Sequence, residues 1–193
     1  MKIKFLFILC FVTFSFNKDG FSQKKVERNK LTIKEDLIYY KEKLFTGIMI
    51  EKNNQNGKLL YQASCKEGKK NGIRKTWYKN GQLMLEGKYK DGKNNGFSSG
   101  WYENGQPMFS GYDKDGTVDK LWKRYYKNGQ IKNQSNYKNG VLDGTYKEWY
   151  ENGQIKYESN YKNGNLNGWV KEWYENGNLL SEKNYKDGIV IKQ

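Results

Sequence analysis

The sequence predicts an all-β fold, a single-layer antiparallel meander of tandem 24-residue β-hairpins. Three observations carry this reading. An aromatic-led motif returns every 24 residues: WYKNGQL from Trp77, WYENGQP from Trp101, YYKNGQI from Tyr125, WYENGQI from Trp149 and WYENGNL from Trp173. Three glycine series hold the same phase, one at Gly81, Gly105, Gly129, Gly153 and Gly177, one at Gly68, Gly92, Gly116, Gly140, Gly164 and Gly188, and one at Gly72, Gly96, Gly144 and Gly168. A period of this length marks a repeated supersecondary unit. The composition agrees: 36% hydrophobic residues, 16% aromatic, 21 glycines and one proline. Rings and turns without aliphatic bulk suit a thin sheet, and so many aromatics argue against disorder.

The elements follow in order. Residues 1–22 read as a secretory signal peptide: Lys2 and Lys4 form a basic start, Phe5 to Phe16 a 12-residue apolar run, and Gly20 and Ser22 a small-residue cleavage site. The run is shorter than the roughly 20 residues that a membrane-spanning helix needs. The chain is therefore expected outside the cytoplasm, in the periplasm, on the outer surface or secreted. Residues 23–36 carry many charges and no repeat signal, and read as a flexible linker. Residues 37–193 form the repeat domain, about six repeats, with irregular stretches at its two ends expected to act as caps.

Within a repeat, Asn-Gly between strand-like residues signals a hairpin with a type I′ turn, which needs positive φ at both central positions. This assigns turns to Asn80-Gly81, Asn104-Gly105, Asn128-Gly129, Asn152-Gly153 and Asn176-Gly177. The strands become Gly72 to Lys79 and Gln82 to Lys90, with Asp91-Gly92 opening a longer turn. Pairing Lys79 with Gln82 then sorts the faces by the period of two. One face holds Gly72, Thr76 and Tyr78 opposite Tyr89, Leu85 and Leu83. The other holds Ile73, Lys75 and Trp77 opposite Lys88, Glu86 and Met84. The third repeat departs from the pattern. Pro107 replaces Leu or Ile, which demands an edge, a bulge or a strand start. Tyr112 comes one position early with Asp113 in the tyrosine slot, suggesting a bulge, and Lys120 replaces a strand-opening glycine.

The W-Y-[KE]-N-G-[QN]-[LIP] motif and the Y-K-[DN]-G-x-x-[ND]-G turn, as in Tyr137 to Gly144, resemble the MORN-repeat superfamily in its bacterial MORN-variant form. The resemblance spans about Leu44 to Gly188. It implies a β-hairpin repeat sheet and a protein-binding, lipid-binding or scaffolding module. It also implies the label given to similar bacterial proteins, YwqK-type antitoxin components of toxin–antitoxin systems.

The residues themselves argue against catalysis. The chain has no histidine, which removes Ser-His-Asp and Cys-His sites, His-bearing zinc sites and histidine as general base. Cys10 departs with the leader and leaves Cys65 alone. Cys65 occupies a tyrosine slot, as a small buried residue would, and has no evident activating base. Asp113, Asp115 and Asp119 lack the remaining ligands of a calcium loop. The recurring glutamates, each near lysines, fit a solvated face and not one catalytic cleft. No cofactor or metal is implied.

The formal charge of +14 favours an acidic partner. Scarce arginine and the absence of a recognition motif speak against nucleic acid. The expected function is an exported, non-enzymatic binding or scaffolding protein that presents its sheet to a protein partner at the cell envelope. Trp77, Trp101, Trp149 and Trp173 are the expected exposed anchors. The alternatives are an antitoxin-like inhibitor of a neighbouring effector, or a binder of anionic lipid or polysaccharide.

Overall fold

A computed structural model describes residues 23–191. The signal-peptide expectation lies outside the described residues. The strands are β1 (Lys25–Glu27), β2 (Thr32–Lys34), β3 (Leu37–Tyr40), β4 (Lys43–Leu44), β5 (Gly47–Lys52), β6 (Leu59–Lys66), β7 (Lys69–Trp77), β8 (Leu83–Lys90), β9 (Lys93–Trp101), β10 (Pro107–Lys114), β11 (Thr117–Tyr125), β12 (Ile131–Lys138), β13 (Val141–Trp149), β14 (Ile155–Lys162), β15 (Asn165–Leu166), β16 (Gly168–Trp173), β17 (Leu179–Lys186) and β18 (Ile189–Val190). From β5 onward they form a consecutive antiparallel meander, the body of a 15-stranded sheet. The expected all-β meander is the fold observed.

The two turn types are exchanged relative to the sequence reading. At Asn80-Gly81, Tyr78 N donates to Gln82 O (2.9 Å) and Gly81 N to Tyr78 O (2.9 Å). Gly81 is left-handed (φ 95), whereas Asn80 is not among the positive-φ residues. This is a longer loop in which a tight turn is followed by one left-handed glycine. The two-residue turn with positive φ at both positions is Asp91-Gly92 (φ 50 and 86), flanked by the Lys90–Lys93 pair. The asparagine of the motif therefore serves another purpose. Its Oδ1 accepts the backbone N–H two residues on, as in Gln82 N to Asn80 Oδ1 at 2.8 Å. Its Nδ2 donates to the next repeat's turn, from Asn80 to Glu103 O, Asn104 to Lys127 O, Asn128 to Glu151 O and Asn152 to Glu175 O, at 3.0–3.3 Å.

The hairpin register holds through the strand bodies. Gly72 pairs with Tyr89, Ile73 with Lys88, Lys75 with Glu86 and Thr76 with Leu85. Near the turn it shifts: Trp77 pairs with Leu83, not Met84, and Tyr78 lies in the loop. The third repeat keeps phase. Pro107 begins β10, where its missing N–H costs no central ladder bond. Asp113 takes the tyrosine's register position, opposite Val118 and Gly96, and the shift at Gly111/Tyr112 matches that at Ser135/Tyr137 in the next repeat. The expected irregularity is therefore present, but it is one that the repeats share. Tyr112 is displaced by one residue and so changes face.

Residues 23–36 are not a linker. β1 pairs in parallel with β5, covering the first edge of the meander. β2, β3 and β4 form a separate three-stranded sheet. Its turns, Glu35-Asp36 and Lys41-Glu42, have positive φ at all four positions without a glycine or asparagine among them, which is why no turn signal is visible in the sequence. Val26, Ile38 and Phe45 from this region close over Met49, Tyr61, Ala63 and Cys65, all buried. The small sheet is stitched to the β6–β7 turn by Ile38 N to Gly68 O (2.8 Å) and Gly68 N to Phe45 O (2.9 Å). The densest core thus sits at the N-terminal end. At the other end, among the described residues, no second sheet covers the side chains, and Leu179, Leu180, Ile189 and Val190 are exposed.

Candidate functional site

The pairing defines two unlike faces. One carries a cross-strand row running Lys75, Glu86, Ser99, Ser110, Lys123, Gln134, Lys147, Glu158, Lys171, Glu182. Lys75–Glu86 (3.1 Å), Lys147–Glu158 (2.9 Å) and Lys171–Glu182 (2.7 Å) are ion pairs in this row. All six groups are about one-third exposed, so each pair contributes roughly 0–1 kcal/mol, and the pairs serve more to set charge pattern than stability.

The opposite face is aromatic and close-packed. Small residues lie beneath rings: Ser98, Ser135 and Ser159 are buried. Tyrosines stand opposite glycines at Gly72–Tyr89, Gly144–Tyr161 and Gly168–Tyr185, as the glycine phase led one to expect. Trp122 stacks on Phe109 with ring centroids 5.4 Å apart. Tyr146 meets Tyr157 and Tyr161 edge-on at 5.8 and 6.4 Å. Burial, helped by the Glu148 carboxylate beside it, pushes the Tyr146 phenol up to about 12 from an ordinary 10.0. Burial also raises Tyr61, Tyr126 and Tyr157. These phenols are bound more tightly to their protons in the folded chain than in the unfolded one. For Tyr146 this contribution is therefore complete below about pH 10 and is lost as pH rises toward 12. An alkaline titration followed by tyrosinate absorbance and circular dichroism is expected to show stability falling across that window, with a shallower fall for Tyr146→Phe.

The tryptophans expected as exposed anchors are half-buried. Trp77, Trp101, Trp149 and Trp173 each end a strand beside a turn. Three of their carbonyls accept a tyrosine hydroxyl from the preceding repeat: Tyr78 to Trp101 (3.0 Å), Tyr126 to Trp149 (2.7 Å) and Tyr150 to Trp173 (2.8 Å). Tyr102 does the same to Tyr125 O at 2.8 Å. The WY pair is thus a rung of a ladder between repeats, and the Asn-Gly turns form a second ladder alongside. Tyr126→Phe removes one rung and is expected to cost about 1 kcal/mol, read from the denaturant midpoint.

What the charged face does expose is a different series. Ile73, Phe97, Leu121 and Trp169 are 38%, 61%, 37% and 40% exposed. With Thr145 they recur every 24 residues, at the position after the strand-opening glycine or Lys120. Two strand spacings separate successive members, roughly 10 Å. Only Ile73 was visible as a face residue in the sequence. The signal that finds the rest is the position after the third glycine series, where residue identity varies but stays mostly bulky.

Among the described residues no group of three or more His, Cys, Asp or Glu is placed to hold a metal. Asp113 accepts from Ser98 Oγ (2.8 Å), Asp115 from Asn95 Nδ2 (2.8 Å) and Asp119 from Asn139 N (3.1 Å), so the three carboxylates are separate structural ties. Cys65 is buried, and burial pushes its thiol up, only partly offset by Lys70.

Four segments, residues 70–91, 118–139, 142–163 and 166–187, match the family model described as the MORN repeat variant. In these four segments the chain is similar to the MORN repeat variant, whose repeats are often protein- or lipid-binding modules. The third repeat, with Pro107 and Asp113, lies between the first two matched segments. No curated protein matches the chain.

Proposed function

We propose that this chain is an exported, non-catalytic binding or scaffolding protein that holds a protein partner at the cell envelope along the charged face of its sheet. The observation that carries this is the exposed apolar series Ile73, Phe97, Leu121 and Trp169, on one face of four of the five repeats. Regular apolar anchors set among charges are the pattern of a protein interface, with a water-excluding centre and a polar surround. Export rests on the leader-like residues 1–22.

Two measurements test it. N-terminal sequencing of the fractionated protein is expected to find a chain beginning at Gln23 outside the cytoplasm. An intact chain in the cytoplasm would reverse the export reading and bring inhibition of a cytoplasmic effector to the front. Capture from envelope extract is expected to lose its specific partner when Ile73, Leu121 and Trp169 are changed to Ser. The same loss is not expected for Trp149→Phe, whose ring is half-buried. Retention by the triple variant would remove this face from the proposal.

A further inference from the structure

The third repeat places a basin of about 390 Å³ on the charged face, lined by Phe97, Tyr112, Leu121, Tyr125, Lys120 and Lys123. Its rings arrive there for identifiable reasons. Asp113 holds the slot that tyrosine fills in the neighbouring repeats, so Tyr112, one residue earlier, faces the other way. The equivalent positions in later repeats are Asn136, Asn160 and Asn184. Phe97 and Leu121 belong to the exposed apolar series. Lys120 stands where the other repeats have Gly72, Gly96, Gly144 and Gly168, and is held at φ 59, a conformation that disfavours a side chain. Its ammonium lies 4.5 Å from the Tyr112 ring centroid, over the aromatic face.

The charges around the basin are also unlike those elsewhere in the row. Lys75, Lys147 and Lys171 each meet a glutamate. Lys123 instead lies between Ser110 and Gln134. Among the described residues, neither Lys120 nor Lys123 has a carboxylate within ion-pair distance. An apolar basin is thus rimmed by two unneutralised ammonium groups, at a strained backbone position where strain points to function.

We infer that this basin docks an acidic protein segment, one that places an apolar or aromatic side chain among Phe97, Tyr112 and Leu121 and carboxylates on Lys120 and Lys123. This rests on the reading of the charged face as a protein-binding surface and names the partner's chemistry. A lipid surface would call for unneutralised lysines spread along the face, whereas here three of its row are paired with glutamate.

The test uses the full chain and two fluorescent peptides, one alternating Glu with Phe and one alternating Lys with Phe, read by anisotropy. The wild type is expected to bind the acidic peptide and not the basic one. Lys120→Gly with Lys123→Gln is expected to weaken binding by about tenfold or more, as is Phe97→Ser with both charges intact. Lys147→Gln is expected to bind as wild type. Lys120→Gly returns the residue that the other repeats use, so the fold is retained, and an unchanged melting curve verifies this. Three results overturn the inference: no binding by the wild type, equal binding of both peptides, or undiminished binding by the double variant. A fourth is binding to vesicles with anionic phospholipid that the double variant abolishes while peptide binding is absent. Envelope-partner capture that survives the double variant overturns this basin alone. Failure of the wild type to capture any partner overturns the proposed function itself.

Discussion

Phe45→Ala is expected to lower the unfolding free energy by about 3–5 kcal/mol, the usual cost of emptying a closed aromatic site. Phe45 is 3% exposed and sits among Val26, Ile38, Met49, Tyr61, Ala63 and Cys65, where the small sheet closes over the long one. Its backbone also links that sheet to the β6–β7 turn through Gly68. The loss is expected to be local at first, because stacked repeats exchange stability mainly with their neighbours. Amide exchange should therefore accelerate in β5 and β6 well before it does in β13 and β14. Leu179→Ala, at 52% exposure, is the comparison and is expected to change the denaturant midpoint by no more than about 0.5 kcal/mol equivalent. Equal effects of the two substitutions would show that the N-terminal cluster is not the main core.

Gly111→Val is expected to be the most damaging single substitution within the repeats, costing about 3 kcal/mol or more by overpacking. A side chain at Gly111 would overlap the Trp122 indole. That ring has no easy retreat, since it stacks on Phe109 and its Nε1 donates to Tyr112 O at 3.0 Å. Gly111 is not among the left-handed glycines, so the cost comes from space and not from backbone conformation. Gly92→Ala gives the opposite case: no atom lies near its added Cβ, but φ is 86, and about 1–2 kcal/mol is expected from the backbone alone. Combining Gly111→Val with Trp122→Leu separates the two. Recovery of part of the lost stability in denaturant melts is expected if the clash is the cause, and no recovery if the backbone is.

Gly111 also shows how far the sequence could be read. Its phase holds glycine only at Gly87 and Gly111, with Ser135 and Ser159 following, and nothing along the chain announces that Trp122 lies across it. The pairing of Gly111 with Trp122 becomes visible only once the third repeat's register is known. Tyr112 is similar. The sequence shows a tyrosine out of step, but whether the chain bulges to restore it or sends it to the other face depends on which residue the neighbouring strands accept. Asp113 is accepted because Ser98 offers it a buried hydrogen bond. The basin at the third repeat follows from that choice, and so was hidden.

The tryptophans are less exposed than expected for a related reason. Alternation tells which face a side chain takes, but not how much of it neighbouring side chains cover. Trp77 and its equivalents lie at strand ends next to the tyrosine ladder, and are half-buried there. Ile73, Phe97 and Leu121 share their face but lie farther from the Asn-Gly turns, where exposure is greater.

The 24-residue period, the meander, the strand bodies and the facing of glycine by tyrosine were legible in the sequence alone. Each depends on local chemistry, on glycine's freedom at positive φ and on a side-chain period of two, and the repetition multiplies a weak signal into a clear one. Tertiary structure alone decided the rest: the N-terminal sheet over the first strands, the exchange of turn types, and the exposed row on the charged face. Those features turn on non-local contacts. Val26 becomes core only when β1 finds β5, and the small sheet that carries the glycine-free Glu35-Asp36 turn is tied to Gly68 through Ile38 and Phe45. The motif asparagine, in turn, is committed to the next repeat 23 residues away, a partner that no local pattern can name.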